Sequence, residues 1–309
     1  MQRLSLDGGI PAGLKGSIVA LGNFDGYHLG HQAVVGRAIQ RGFHERRPVI
    51  VATFDPHPVR FFKPDVPPFR LTTLDQREQL FAHAGADAML LFQFDKAMAI
   101  TSAEDFVGEV LGKQIGAAGV VTGDDFTFGR GRKGDVEALR LLGEQSGIVA
   151  EAVAPVLLDG VRISSGRIRE ALEAGDTGLA TRLLTRDFAI EGVVRKGDQR
   201  GRHLGYPTAN LELGDYQRPK YGIYAVRVTL DDGSECPGVA SLGVRPTFDP
   251  PTELLEAHLF GFDGDLYGRK IEVALHAFIR EERKFEDVET LVAHMREDEA
   301  AARRLLAID

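Results

Sequence analysis

At 309 residues the chain is long for one domain and gives each of two ordinary domains enough residues to bury its own core. Hydrophobic residues at 43% and charged residues at 27% are ordinary for a globular protein, no apolar run is long enough to span a bilayer, and the single cysteine, Cys236, excludes an internal disulfide framework or a cysteine-cluster metal site. A formal charge of -8 argues against a general nucleic-acid binder and for small phosphorylated ligands, although the basic cluster Arg130, Arg132 and Lys133 could still meet phosphate.

The first residues, MQRLSLDGGIPAGLKG, lack the apolar core of a signal peptide, which gives the expectation of a cytoplasmic protein. From Ser17 to about Ala150, short apolar runs alternate with helical patterns. The order is SIVAL, a helix from about Leu29, PVIVATF, a helix near Asp75, DAMLLFQF, a helix near Ala103, AAGVVTG, a helix over 135–146, and GIVAEAV. This alternation predicts a parallel sheet covered by helices on both faces. Right-handed crossovers then set the loops after the strands along one edge, where ligands of open α/β sheets bind. After a helical stretch over 177–184 the rhythm changes to consecutive strands, DFAIEGVV, IYAVRVTL, PGVASLG, LLEAHLF and RKIEVALHAFIR, with Gly, Pro and Asp turns between them. That reads as an antiparallel sheet or barrel. A helix from about Asp287 closes the chain, with Val288, Leu291, Val292 and Met295 on one apolar, core-packing face. The expected domains are therefore 1–185 and 186–309. Asp263-Gly264-Asp265 lacks the ligand spacing of an EF-hand and reads as a hairpin turn.

SIVAL runs straight into Gly22-Asn23-Phe24-Asp25-Gly26-Tyr27-His28-Leu29-Gly30-His31 and a helix. A helix N-terminus presents unpaired N–H groups and a positive dipole end, which suits phosphate. His28 and His31 at i, i+3 can point the same way and donate to phosphoryl oxygens as charge develops. A bare pair of histidines also fits surface or capping residues, and a metal site would need further ligands that are not nearby. The wider string is more specific: GNFDGYHLGHQ resembles the GxFDGxHxGH motif of the flavokinase and FAD synthetase family, a branch of the HxGH nucleotidylyltransferases. Thr53-Phe54-Asp55-Pro56-His57-Pro58, Leu71-Thr72-Thr73, Gly123-Asp124-Asp125-Phe126-Thr127-Phe128-Gly129 and Ile163-Ser164-Ser165-Gly166-Arg167-Ile168-Arg169 resemble further segments of that family in order. The resemblance implies a Rossmann-like nucleotidylyltransferase domain that adenylylates FMN, with His28, His31 and Arg169 as catalytic residues. It further implies substrate and nucleotide binding by Gly22, Phe24, Asp25, Asp55, His57, Asp125, Phe126, Phe128, Ser164 and Ser165. One departure is Gly166, where the family usually has Thr or Ser; the missing hydroxyl would cap the helix or bond a phosphate. Gly129 to Gly134 also fits G-x-G-x-x-G, as in an NAD-binding oxidoreductase, but the polar Asp124-Asp125 segment stands where that fingerprint must open from a strand.

No Walker A motif is present, so kinase chemistry cannot rest on a P-loop. In GVVRKGDQRGRHLGYPTANL, over 192–211, glycines at 197, 201 and 205 let backbone wrap phosphates, and Thr208 and Asn210 offer neutral oxygens to a hard cation. The string resembles the riboflavin kinase signature GxRxLGxPTAN of the same family. Tyr221-Gly222-Ile223-Tyr224, Gly243-Val244-Arg245-Pro246-Thr247-Phe248 and Glu256-Ala257-His258-Leu259-Phe260 continue the likeness. It implies an antiparallel β-barrel of riboflavin kinase type with a C-terminal helix. Gly197, Arg200, Arg202, Gly205 and Arg245 would bind substrate or nucleotide, and Thr208 and Asn210 would be ligands of Mg²⁺-ATP. Glu256 is then the candidate base for the primary alcohol that attacks the γ-phosphate. Ser241, where Asn is frequent, and Gly261, where Asp is frequent, depart from the pattern without removing a catalytic group.

The two halves together imply synthesis of FMN from riboflavin and of FAD from FMN, both with ATP and Mg²⁺. The partners expected are small-molecule substrates, with no nucleic acid and no membrane; the oligomeric state, a homo-oligomer included, is open. Two alternatives stand beside this reading. One is a nucleotidylyltransferase with another acceptor, such as a pantetheine or phosphocholine relative, carrying an unrelated β domain. The other is a chain in which one domain binds flavin or regulates without catalysis.

Overall fold

The computed structural model describes residues 1–197, 205–245 and 252–308, apart from the side chains of Arg245 and Thr252. The chain forms two units, Met1–Pro67 with Thr73–Ser164 and Pro68–Thr72 with Ser165–Asp309.

In the first unit, β1 (Gln2–Ser5), β2 (Ile18–Leu21), β3 (Val49–Asp55), β4 (Ala88–Gln93), β5 (Gly119–Gly123) and β6 (Val149–Val153) make a parallel sheet in the order β1-β4-β3-β2-β5-β6. The helices between them are α1 (Leu29–Glu45), α2 (Pro58–Phe62), α3 (Leu74–Ala84), α4 (Lys96–Ile100), α5 (Ala103–Asp105) running on as a π-helix over Phe106–Ile115, and α6 (Val136–Gln145). A two-stranded ribbon of β7 (Leu157–Leu158) and β8 (Val161–Arg162) follows. Strand β2 is buried on both faces, as an uninterrupted apolar run in a parallel sheet requires. Ile18 and Ala20 join a core with Val34, Val35 and Ala38 of α1 and Phe81 of α3. Val19 and Leu21 join the opposite core with Phe106, Leu111, Ile115 and Leu139. Helix α3 starts on a capping box between Thr73 and Gln76 and stops at Gly85 in the left-handed region, φ 97°. The strand order reverses at β2 and β5, where Thr122 Oγ1 donates to the Leu21 carbonyl at 3.0 Å. A crevice at the carboxyl ends of such a pair is where open α/β sheets take ligands.

The second unit opens with α7 (Ser165–Ala174) and α8 (Thr177–Leu184). Strands β9 (Phe188–Val193), β10 (Ala209–Glu212), β11 (Gly222–Thr229), β12 (Glu235–Arg245), β13 (Thr252–Leu259) and β14 (Lys270–Arg280) pair antiparallel in the order β10-β13-β12-β11-β14-β9. The Arg195 N–H donates to the Asn210 carbonyl at 2.9 Å and brings the chain after β9 back to β10, so the sheet is a nearly closed barrel. Its fully buried side chains include Leu211, Tyr224, Val226, Leu242, Leu255 and Val273. Segment 68–72 belongs to this unit through Arg70, whose N–H donates to the Asp215 carbonyl and whose carbonyl accepts from Gln217.

Two expectations need correction. Strands β13 and β14 are not neighbours, so the turn at Asp263-Gly264-Asp265 belongs to a crossover and not to a hairpin: β14 passes to the far side of β11, a choice made by non-local pairing. Helix α9 (Val288–Leu305) starts at the Asp287 cap, but Val288 is 58% exposed. Its packing lies further on, where Ala302 and Leu306 join Ala225 and Phe260, and where Arg280 grips both Asp298 oxygens at 2.8 and 2.6 Å. Among the described residues no helix is long and apolar enough to cross a membrane.

Candidate active sites

The turn after β2 is built around strained backbone. Phe24 and Tyr27 adopt positive φ, 48° and 45°, which non-glycine residues seldom do outside functional turns. Both rings are buried edge-on to Phe81, at 5.8 and 5.2 Å, and that packing holds the turn. His28 then caps α1, its Nδ1 accepting from the His31 N–H at 3.3 Å. A ring nitrogen that accepts carries no proton, so the proton of this imidazole sits on Nε2 and makes that atom a donor. The His28 and His31 rings stack at 3.6 Å, and Phe24 meets His31 edge-on at 5.3 Å. Gly30 leaves room for this stack, because a Cβ there would lie 3.1 Å from His28 Cε1 and 3.2 Å from Nδ1 and would push the ring by a few tenths of an ångström.

Strands β3 and β5 flank β2, so their following turns issue at the same sheet edge. Asp25 is buried beside His28 in the turn that Gly22 opens. Asp55 ends β3, and His57 caps α2 as His28 caps α1, its Nδ1 accepting from Val59 at 3.2 Å. Asp125 is exposed and pairs with Arg162 at 2.9 Å. Phe126 stacks on Phe128, whose ring is buried in the core against Phe106. The segment from Gly129 to Gly134 is a loop closed by reciprocal Phe128–Gly134 backbone bonds, and α6 starts only after it. It is not the strand-to-helix turn that a dinucleotide fingerprint needs. Ser164 is exposed at the end of the first unit, and Ser165 opens α7 with Gly166 exposed beside it. Arg169, on α7, donates from Nε to the Phe69 carbonyl at 2.7 Å and stacks over that ring at 5.0 Å.

In the barrel, Asn210 on β10 and Glu256 on β13 are direct cross-strand partners, and Ser241 on β12 is the next partner of Glu256. These three share one face, opposite the face that buries Leu211, Leu255 and Ala257. Gly197 approaches Asn210 so closely that a Cβ would lie 2.7 Å from Nδ2. Asn210 is itself buried, and its Oδ1 has no hydrogen-bond partner among the described residues. Thr208 is half-buried just ahead of β10, and Gly205 is exposed with φ 85°. Arg200 and Arg202 lie outside the described residues, as does the side chain of Arg245.

Two residues outside the sequence-based set shape these sites. Arg77 is buried on α3 and donates to the Asn23 carbonyl at 3.2 Å and to Thr53 Oγ1 at 3.3 Å, while Thr53 Oγ1 donates to Asn23 at 2.7 Å. It fastens the turn after β2 to β3. The signal in the sequence was an arginine one turn before Phe81 on the packed face of the helix. His258 bonds the Pro207 carbonyl at 2.8 Å. Its signal was the period of two that sets it on the same strand face as Glu256.

Comparison with known proteins gives each unit its class. Residues 10–167 match the family model for FAD synthetase, and residues 184–306 match that for riboflavin kinase. A bifunctional riboflavin kinase/FMN adenylyltransferase of Pseudomonas fluorescens is 41% identical over 95% of this chain and 94% of its own length. Its namesake in Escherichia coli K12 is 38% identical with the same coverage. A crystal structure described as a macrolide-efflux protein from Streptococcus pneumoniae has the same fold, with a TM-score of 0.87 and 30% identity over 98% of this chain and 99% of that one. The chain belongs to the family of bifunctional riboflavin kinase/FMN adenylyltransferases.

Proposed function

We propose that the barrel phosphorylates riboflavin to FMN and that the parallel-sheet domain adenylylates FMN to FAD. The observation that carries the reading is that each unit has its own set of groups suited to phosphate: stacked histidines at a helix N-terminus in the first, and Asn210 beside Glu256 in the second. We assign the boundary between the activities to residues 185 and 186, and the site of action to the cytoplasm, where ATP is supplied.

In the kinase step the primary hydroxyl of riboflavin attacks the γ-phosphorus of ATP, Glu256 takes its proton, and ADP leaves as the β,γ P–O bond breaks. Gly197, Gly205, Arg200, Arg202 and Arg245 hold nucleotide and flavin. The buried Oδ1 of Asn210, unpartnered among the described residues, suits a hard cation, and the Thr208 hydroxyl is a second neutral oxygen close by in the chain. A Mg²⁺ bound there would neutralise polyphosphate charge. In the adenylyl step a phosphate oxygen of FMN attacks the α-phosphorus of a second ATP, and pyrophosphate leaves. The nucleophile is already ionised, so no base is needed. His28 Nε2, His31 and the first N–H groups of α1 stabilise the developing charge. Arg169, Ser164 and Ser165 add contacts to the ATP phosphates, while Phe24, Asp25, Asp55, His57, Asp125, Phe126 and Phe128 shape the remaining binding surface.

Incubation with riboflavin, ATP and Mg²⁺, followed by separation of the flavins, tests the reading. FMN together with FAD is expected. FMN alone would overturn the adenylyl half, and absence of both would overturn the whole.

A further inference from the structure

We propose that His258 is a positioning residue for the kinase reaction, one that sets Thr208 and Asn210 by holding the carbonyl of Pro207. The inference rests on the reading of Thr208 and Asn210 as the cation-facing residues. The ladder between β10 and β13 pairs Asn210 with Glu256 and Ala209 with Ala257, and Ala209 is the first residue of β10. Continued by one residue, that register would set Thr208 opposite His258. Instead the ladder ends, and the imidazole of His258 takes its place. Its Nδ1 lies 2.8 Å from the Pro207 carbonyl, which can only accept, so Nδ1 carries the proton and donates. Among the described residues no strand pairing fixes Thr208; the stiff φ of Pro207 and the bond from His258 do.

The brace is itself held. The Tyr206 ring meets His258 edge-on at 5.0 Å, and the Phe260 ring also meets it edge-on at 6.0 Å. Burial, with the Glu299 carboxylate of α9 next, holds the Tyr206 phenol above its ordinary pKa. Arg303 of α9 covers the Phe260 ring at 4.6 Å and bonds Glu299 at 3.0 Å. One face of β13 thus carries both the base, Glu256, and the brace, His258. An oxygen such as Asn210 Oδ1, without a partner among the described residues, can serve a cation only if its chain is held still, and residues that orient ligands from outside are worth roughly 10- to 100-fold in metal affinity or activity.

The test uses the full-length chain with His258→Ala, His258→Asn, Tyr206→Phe and Asn210→Ala. Each variant is assayed for riboflavin phosphorylation against Mg²⁺ concentration, for ADP binding by calorimetry with and without Mg²⁺, and for adenylylation of supplied FMN. His258→Ala should raise the Mg²⁺ needed for half-maximal kinase rate by roughly tenfold or more and weaken Mg²⁺-dependent ADP binding by a similar factor, with adenylylation unchanged. His258→Asn offers an amide donor near the position of Nδ1 and should recover most of both. Tyr206→Phe keeps its ring against His258 but loses its hold on Glu299, and should shift the Mg²⁺ requirement the same way by a smaller factor. An unchanged Mg²⁺ requirement in folded His258→Ala or folded Tyr206→Phe, or an Asn variant as impaired as the Ala variant, overturns the proposal. An unchanged requirement in Asn210→Ala would instead overturn the reading of the cation-facing residues.

Discussion

Replacing Gly30 by alanine separates stability from adenylyl transfer. The new methyl group would lie 3.1 Å from His28 Cε1 and 3.2 Å from Nδ1, closer than ordinary van der Waals contact, so the imidazole must tilt by a few tenths of an ångström. Its capping bond is already long at 3.3 Å, so the tilt sacrifices up to about 1 kcal/mol of cap energy. Alanine returns up to about 1 kcal/mol through its better helix propensity, so the melting temperature should hardly move. Catalysis has no such compensation. If the tilt withdraws Nε2 from the phosphoryl oxygen, a charge-assisted bond of about 1.5–3 kcal/mol is lost from the transition state, or roughly 10- to 150-fold in rate. The assay is FAD formation from supplied FMN and ATP, with riboflavin phosphorylation as the internal control. Adenylylation at the unmodified rate in a folded Gly30→Ala protein would refute the role given to the His28 ring.

Glu256→Gln should abolish most FMN formation while FMN adenylylation persists, and equal retention of both activities in a flavin-separation assay would defeat the assignment of the base. Gly166→Thr should leave adenylylation close to its starting rate, because position 166 is an exposed first-turn residue of α7 whose N–H remains; a rise of about tenfold, worth ~1.4 kcal/mol, would show that the missing hydroxyl bonds phosphate. Arg218 at 2.7 Å, opposed by burial and aided by the Tyr221 hydroxyl, holds the Glu253 carboxyl below its usual range. Its contribution to stability is therefore complete above the ordinary carboxylate pKa and disappears as pH falls through the lowered value, a dependence that urea titrations should find flattened in Glu253→Gln. Tyr221 is pushed up to about 12 by burial and Glu253, so its contribution instead declines as pH rises from about 10 through 12. Asp298→Ala strands Arg280 against α9 and should cost about 3 kcal/mol or more in unfolding of the barrel, while Asp298→Asn, which keeps one acceptor, recovers part of it.

The sequence carried the alternation of the first unit well because β2, β3 and β5 are buried almost throughout and the helices α1, α3 and α6 between strands each bury one side. It missed β1, whose QRLS is short, polar and at the sheet edge, and it named no strand at β10, since those four residues fall inside a binding string. Strand order in the barrel was beyond local pattern. Nothing around Asp263-Gly264-Asp265 says that the next strand will skip past β12 and β11 before pairing. The adjacency of Asn210 and Glu256 depends on the same non-local order, so the string containing each could be recognised while their partnership could not.

His28 is a helix cap, and a cap of this kind is compatible with the phosphate-donor role proposed for it. Elsewhere the chain caps helices with ordinary short side chains: Thr73 on α3, Asp135 on α6 and Asp287 on α9. On α1 and α2 the cap is an imidazole, and in both it is Nδ1 that accepts the N–H. A carboxylate or hydroxyl cap would end there, and a carboxylate would bring negative charge to the place where phosphate is proposed to bind. An imidazole cap uses one nitrogen for the helix and is thereby forced to carry its proton on the other. Capping aims the donor, fixes its tautomer and spends no negative charge at the positive end of the helix dipole. The glycine between His28 and His31 leaves room for that ring, which is why the pair has meaning only within its longer string.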